Sequence, residues 1–437
     1  MKRIILIACV MATGYGIQAQ EAWSLQKCIE YAIEHNLSIK QQEASRNQSE
    51  VELNTAQWSR LPNLNGNVGQ SFNFGRALQA DNTYGNRNTA NTNFSLGTNI
   101  PLFTGLQIPN SIALAKLNLK AATEDLKKAK EDISIQVASY YLQALFNEEL
   151  SKVAQNQVKL SQEQLDRKVA FFKNGKASEA EVYEAKSRLA QDEMSAVQAN
   201  NNYRLALLDL SQLLELPSPE GFTIAEPPTV EMNVQLSLPD EVYSQAMTNK
   251  PSIKAAQYRL EGAEKSIRIA QSGYYPQLSF GAGLSTNYYN MSGIETASFS
   301  SQWHQNFNKY LQFSLSIPLF NRFATRNRVK SARIQKNALQ WRLEESKKTL
   351  YKEIQQAYYN ALAAEAKYRS SQSASEASEA SFKLMSEKYA NGKATATEYN
   401  EVRTLWMKAL SDHIQARYDY LFRSKILDFY KGEPLKL

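Results

Sequence analysis

The chain has 437 residues, of which 43 % are hydrophobic, 21 % charged and 10 % aromatic, with a formal charge of +7 and two cysteines. These proportions exclude a disordered chain, a collagen-like repeat and a disulfide scaffold, and beyond the first twenty residues no apolar run of about 18 offers a helical membrane span. The basic excess alternates with Glu and Asp along helical faces, which argues against a nucleic-acid partner.

Met1-Lys2-Arg3, an apolar stretch over 4–12 and small residues up to Ala19 predict a signal peptide at 1–19, hence export. Its removal takes Lys2 and Arg3 with it and lowers the charge to +5. Leu6-Ile7-Ala8-Cys9 is similar to a lipobox, but few apolar residues precede it, and Cys9 reads as part of the apolar region. Cys28 is then the one cysteine of the mature chain, so no disulfide forms within it.

The remainder is written twice. Ile100-Pro101-Leu102-Phe103 recurs as Ile317-Pro318-Leu319-Phe320, and Asn174-Gly175-Lys176 as Asn391-Gly392-Lys393, both displaced by 217. Upstream the displacement is 214, with Leu37-Ser38-Ile39-Lys40 facing Pro251-Ser252-Ile253-Lys254. The reading is a first repeat over 20–216, a Pro-rich connector over 217–240 and a second repeat over 241–437.

Each repeat opens with a helical stretch, 24–60 or 241–273, closed by Pro62 or Pro276. Period-two alternation follows in the hairpins 63–102 and 277–319. Leu64, Val68, Phe72 and Phe74 oppose Asn65, Asn67, Ser71 and Asn73, and Leu311, Phe313, Leu315 and Ile317 oppose Gln312, Ser314 and Ser316. Runs of about ten residues with one apolar and one small, neutral polar face suit tilted strands of an outer-membrane barrel, and the Asn- and Ser-rich turns at 77–92 and 290–309 suit its external loops. A soluble half-buried sheet has the same period, but its outer face would carry Lys and Glu.

Long helices are predicted over 105–173 and 322–390, each about 100 Å at about 1.5 Å per residue. Ile112, Leu119, Leu126, Ile133 and Tyr140 repeat every seven residues in the first. After each Asn-Gly, return helices over 178–215 and 395–430 carry the stripes Val182, Leu189, Ala196, Tyr203, Leu210 and Tyr399, Trp406, His413, Tyr420, Leu427. The two shorter helical stretches of a repeat together match its long helix in length, with the Asn-Gly turn at one end of the rod and the strands at the other. Four strands cannot close a barrel, so the chain must assemble; two copies give eight strands and three give twelve.

An exported tandem of helix, Pro-bounded strand hairpin, very long helix, Asn-Gly tip and return helix resembles the TolC-type outer-membrane channel family of efflux pumps and type I secretion systems. The opening Trp23-Ser24-Leu25-Gln26-Lys27-Cys28-Ile29-Glu30-Tyr31-Ala32 is similar to the family's N-terminal pattern. The resemblance implies a mainly α protein with a membrane β-barrel: a tandem-repeat protomer with four membrane strands and long periplasmic coiled-coil helices, a homotrimer with a twelve-strand barrel on an α-helical tunnel. It further implies a bacterial outer-membrane location with a periplasmic extension, a periplasmic adaptor (membrane fusion protein) and an inner-membrane pump of RND or ABC type. The function implied is that of a passive conduit, the outer-membrane channel of a tripartite efflux pump or type I secretion system, for export of small molecules or drugs, without a cofactor.

In this family the tips meet the adaptor and form the aperture, which here implies Phe172, Asn174, Gly175, Lys176, Asn391, Gly392 and Lys393 as adaptor contacts. Tyr389 matches the family's aperture Tyr, and Glu181, Glu398 and Glu401 fall where its acidic residues lie. An Arg stands two residues after the second tip Gly in the family pattern; here Ala394 does, so a closed state calls for other pairs, such as Lys393 or Lys176 with these glutamates. His35, His304 and His413 are dispersed, and no zinc spacing, P-loop, dinucleotide fingerprint or nucleophile elbow indicates an enzyme. The other reading is a periplasmic coiled-coil scaffold or adaptor whose strands form a soluble sheet.

Overall fold

The computed structural model describes residues 22–78, 82–226 and 236–435. The expected signal peptide with Cys9, and residues 227–235 of the connector, lie outside the described residues. In chain order the elements are α1 (Leu25–His35), α2 (Leu37–Trp58), β1 (Asn65–Asn73), β2 (Arg76–Leu78), β3 (Tyr84–Asn86), β4 (Thr89–Phe103), α3 (Gln107–Lys173) and α4 (Glu179–Leu213). Then follow α5 (Pro239–Asn249), α6 (Pro251–Gln271), β5 (Gln277–Met291), α7 (Phe299–Gln305), β6 (Asn308–Ser316), α8 (Ala324–Ala390) and α9 (Ala396–Lys431). They form two packing units, one of the chain up to Gln41, Lys127–Lys250 and the chain from Lys348, the other of Gln42–Leu126 and Pro251–Lys347.

The opening stretch of each half is broken in two, where the sequence suggested one helix. Asn36 takes an extended backbone, φ −61° and ψ 130°, and its side-chain oxygen accepts from Ser38 N–H at 2.9 Å, capping the start of α2. The matching break at Lys250 has another cause. Pro251 disfavours a helical residue before it and is itself suited to the first helical position of α6. Both break residues also serve the end of a return helix: Asn36 Nδ2 donates to Leu213 O (3.0 Å) and Lys250 Nζ to Phe429 O (3.3 Å). Lys250 is buried, and its charge is met by Glu131 at 3.0 Å and by the Phe429 ring, 4.1 Å to the centroid.

The strand-bearing unit holds a four-stranded antiparallel sheet in the order β1-β4-β5-β6. The pairs Val68↔Phe94, Leu96↔Leu284 and Phe280↔Phe313 gather the apolar residues on one face, and Asn67↔Ser95 and Ser279↔Ser314 gather the polar ones on the other. The apolar face is bare: Val68 is 71 % exposed, Leu311 77 % and Phe313 70 %. On the polar face Tyr310 lies flat over Gly283, its hydroxyl reaching Gly97. A Cβ on Gly283 would stand 2.6 Å from the ring. Among the described residues the expected loops hold further structure, the ribbon β2-β3 in the first and the helix α7 in the second.

In the other unit, Trp23 and Ile224 form a parallel bridge. The Tyr141 hydroxyl lies 2.6 Å from Ala225 O and 3.0 Å from Trp23 O, tying this bridge to α3. The seven-residue stripe of α3 does not continue to Tyr140, which is 43 % exposed. Ile133 is buried, but the buried face then passes to Val137, Tyr141, Ala144 and Leu145. A straight helix drifts by about 20° per heptad, enough to hand the seam to the neighbouring residue. Cys28 is fully buried, and burial pushes its thiol up to about 12 against the opposing effect of Lys27.

Candidate functional site

The two helical hairpins α3–α4 and α8–α9 end in turns of one design. Gly175 (φ 68°) and Gly392 (φ 70°) take the left-handed conformation that costs other residues about 1–2 kcal/mol. Lys176 N–H donates to Phe171 O and Gly175 N–H to Phe172 O, at 2.8 and 2.9 Å; Lys393 N–H donates to Lys388 O and Gly392 N–H to Tyr389 O, at 2.8 and 3.0 Å. This pair of bonds satisfies the last carbonyls of each long helix. The return helices open on Ser178 and Thr395, each in a capping box with the residue three further on, Glu181 or Glu398. Those two glutamates, singled out from the sequence as aperture candidates, therefore serve first as helix caps, while Glu401 is exposed on α9.

Inside the caps the hairpins differ. Lys168 of α3 pairs with Glu181 of α4 at 2.6 Å and stands 5.2 Å from the ring centre of Tyr389 on α8. Tyr389 stacks on the buried Tyr399 of α9 (4.7 Å, 21°), so one ammonium links both hairpins. Burial disfavours the Lys168 charge, but Glu181 and Tyr389 together outweigh it and raise its pKa. The hydrogen bond from Lys168, followed by that from Ser178 N–H, lowers the pKa of Glu181. Lys176 and Lys393 take part in no ion pair among the described residues; they stand exposed at the turns, while Lys168 lies inside the bundle.

One layer further from the turns lies a buried ion pair. Arg403 of α9 meets Asp192 of α4, their side chains 3 % and 8 % exposed. The Ser161 hydroxyl of α3 donates to Asp192 and accepts from Arg403 Nη2 at 2.8 Å. Arg188 Nε lies 3.6 Å from Asp192 with no hydrogen-bond partner. A cavity of about 50 Å³, room for one or two waters, separates this pair from the Lys168 layer. Phe382, stacked on Trp406 at 4.5 Å, closes the α8–α9 side. This is an electrostatic tie between hairpins.

Lys168, Ser161, Asp192 and Arg403 carry no motif that singles them out in the sequence. A signal existed: Asp192 stands three residues after Leu189 and Arg403 three before Trp406, so both charges fall beside the apolar stripes. His413 stacks on Tyr368 (5.4 Å, 25°), and burial lowers its pKa. Phe171, Phe172, Tyr183 and Leu384 are exposed at the hairpin ends, between 40 % and 63 %.

Residues 28–215 and 242–433 match the family described as outer membrane efflux protein. A probable outer membrane lipoprotein, SilC of Salmonella typhimurium, is 22 % identical over 344 residues, covering 76 % of this chain and 68 % of its own. The pyoverdine export outer membrane protein OpmQ of Pseudomonas putida is 24 % identical over 254 residues, 56 % of this chain and about half (49 %) of its own. The crystal structure of CusC superposes with a TM-score of 0.77 at 16 % identity, covering 93 % of this chain and 91 % of that one, which shows a shared fold. Proteins of this family are non-enzymatic conduits of the bacterial outer membrane that reach into the periplasm. The two matched stretches take in nearly the whole described chain, and the chain belongs to the outer membrane efflux protein family.

Proposed function

We propose that three copies of this chain close a twelve-strand barrel in the outer membrane, continued by an α-helical tunnel, as the exit duct of a tripartite efflux pump for small molecules or drugs. Each copy contributes two tandem repeats, 20–216 and 241–437, joined by the 217–240 connector. The observation that carries the reading is the sheet itself, four strands with an edge at β1 and another at β6, and a bare apolar face. Unpaired backbone groups cost several kcal/mol each in lipid, so such a sheet is stable there only when another copy pairs with its edges. The α4 stripe of Met194, Val197, Leu205 and Leu208, 43–71 % exposed, suits cover by a neighbouring copy.

At the tips, Phe172, Asn174, Gly175, Lys176, Asn391, Gly392 and Lys393 form the surface for a periplasmic adaptor that joins the duct to an inner-membrane pump of RND or ABC type. Tyr389 and Glu181, joined through Lys168, hold the aperture closed, with Glu398 and Glu401 as the acidic candidates of the second hairpin. The purified protein is expected to run as a trimer in detergent and to open ion-conducting steps in planar lipid bilayers. A chain that stays monomeric and soluble without detergent, with no conductance, overturns the channel and leaves the periplasmic scaffold.

A further inference from the structure

We propose that α7 and the apolar face of the sheet form a seat for one anionic phospholipid, its acyl chain under Trp303 and its phosphate on Lys309; the proposal rests on the barrel reading of the sheet.

The sheet is stepped. β6 begins at Asn308 and pairs with β5 only up to Ser285, while β4 follows β5 as far as Met291. Above the step α7 takes the place of a strand. The Gln302 amide accepts from Tyr289 N–H (2.8 Å) and donates to Tyr289 O (2.9 Å), and Asn306 Nδ2 donates to Asn287 O (2.8 Å). Thr286 Oγ1 donates to Trp303 O at 3.0 Å, which fixes the helix over the strand. These bonds hold a seven-residue helix that could not persist alone.

They hold it on the apolar side. Trp303 meets Phe94 edge to face, 5.0 Å between ring centres, and Phe299 meets Tyr288 at 5.5 Å. Between helix and sheet runs an open groove of about 260 Å³ walled by Val68, Phe94, Leu96, Leu284, Trp303 and Phe307. Phe307 and Trp303 remain 44 % and 37 % exposed. The groove continues the bare face of Val68, Leu311 and Phe313, so whatever wets that face enters it, and in a membrane this is hydrocarbon.

The level of the groove favours a headgroup beside it. On the apolar face the residue paired with Leu284 is Lys309, and beyond Val68 and Phe94 comes the polar pair Gln70↔Thr92, so the continuous apolar band is interrupted at this level. Tryptophan and lysine are suited to this boundary, with ring in the hydrocarbon edge and ammonium among phosphates. Lys309 is exposed, its ammonium 5.6 Å from the Phe307 ring centre, and it joins no ion pair among the described residues.

The test is tryptophan fluorescence of the full chain reconstituted in phosphatidylcholine vesicles containing phosphatidylglycerol brominated on its acyl chains. Bromine quenches indole on contact. Trp303→Phe is expected to remove a distinct share of the quenching. That share is expected to shrink when the bromine is carried by phosphatidylcholine instead, and Lys309→Gln to abolish this preference. Phe307→Ala, which opens one wall and leaves the bonds of α7 in place, is expected to weaken the same share. Equal quenching of the parent and Trp303→Phe overturns the seat. Leu311→Trp in the Trp303→Phe background separates the two readings: quenching there with none assigned to Trp303 overturns the seat alone, and its absence overturns the barrel and the seat together.

Discussion

The two hairpin tips are built alike at the turn and differently behind it. Under the shift of 217, Gly175 matches Gly392, Ser178 matches Thr395 and Glu181 matches Glu398, and each pair makes the same bonds. Behind the turn the matches fail: Lys168 faces Met385, Phe172 faces Tyr389, Asp192 faces Ala409 and Arg403 faces Lys186. The shared residues end a helix and start another, a local task that either hairpin performs alone. Of those that differ, Asp192 and Arg403 meet across the hairpins, where one side must supply the acid and the other the base, and Lys168 reaches Tyr389 of the other hairpin.

The largest break in this comparison is expected at the buried pair. Asp192→Ala leaves Arg403 buried without its partner and should cost about 3–5 kcal/mol, read as a fall in the denaturation midpoint. Lys186→Ala, at the exposed counterpart of Arg403, should change stability by less than about 0.5 kcal/mol. Equal effects would show that the two hairpins share the load.

Gly175→Ala and Gly392→Ala should each cost about 1–2 kcal/mol, because both glycines need positive φ although both have room for a methyl group. Ser178→Ala and Thr395→Ala should each cost about 1 kcal/mol. A clear inequality within either pair, measured by the same unfolding assay, would break the likeness of the turns.

The smallest effect is expected from the Lys168–Glu181 tie, a partly exposed pair worth at most about 1 kcal/mol. The Glu181 pKa is lowered in the folded protein, so its contribution is complete above the ordinary value of about 4.3 and is lost as pH falls through the lowered one. The Lys168 pKa is raised, so its share is complete below about 10.4 and lost only as pH rises through the raised value. Conductance should therefore be flat across neutrality and rise in acid, and again only in strong alkali, and Glu181→Gln should raise it at neutral pH and flatten the acid response.

Much of this is legible in the amino-acid sequence. The Asn-Gly repeats fixed both tips, and alternation separated the two faces of the sheet because side chains of a strand point alternately to either side. The breaks at Asn36 and Lys250 were harder to see, since the chain is helical on both sides and periodicity resumes at once; only Pro251 announced one of them. Seven residues are too few for α7 to show a period. Lys168 was invisible for another reason. Its role depends on which side chain of the other hairpin lies opposite, and a stripe along one helix carries no such information.

Tyr310 and its two glycines give the wall an unexpected gauge. The ring lies flat because Gly283 and Gly97 have no side chains beneath it. In the proposed barrel this face lines the passage, and three such rings would stand at one height. The bore at that height is then set by two missing methyl groups per copy. A single methyl on Gly283 would swing an uncharged ring inward, narrowing the duct for bulky cargo without altering the charge any ion meets.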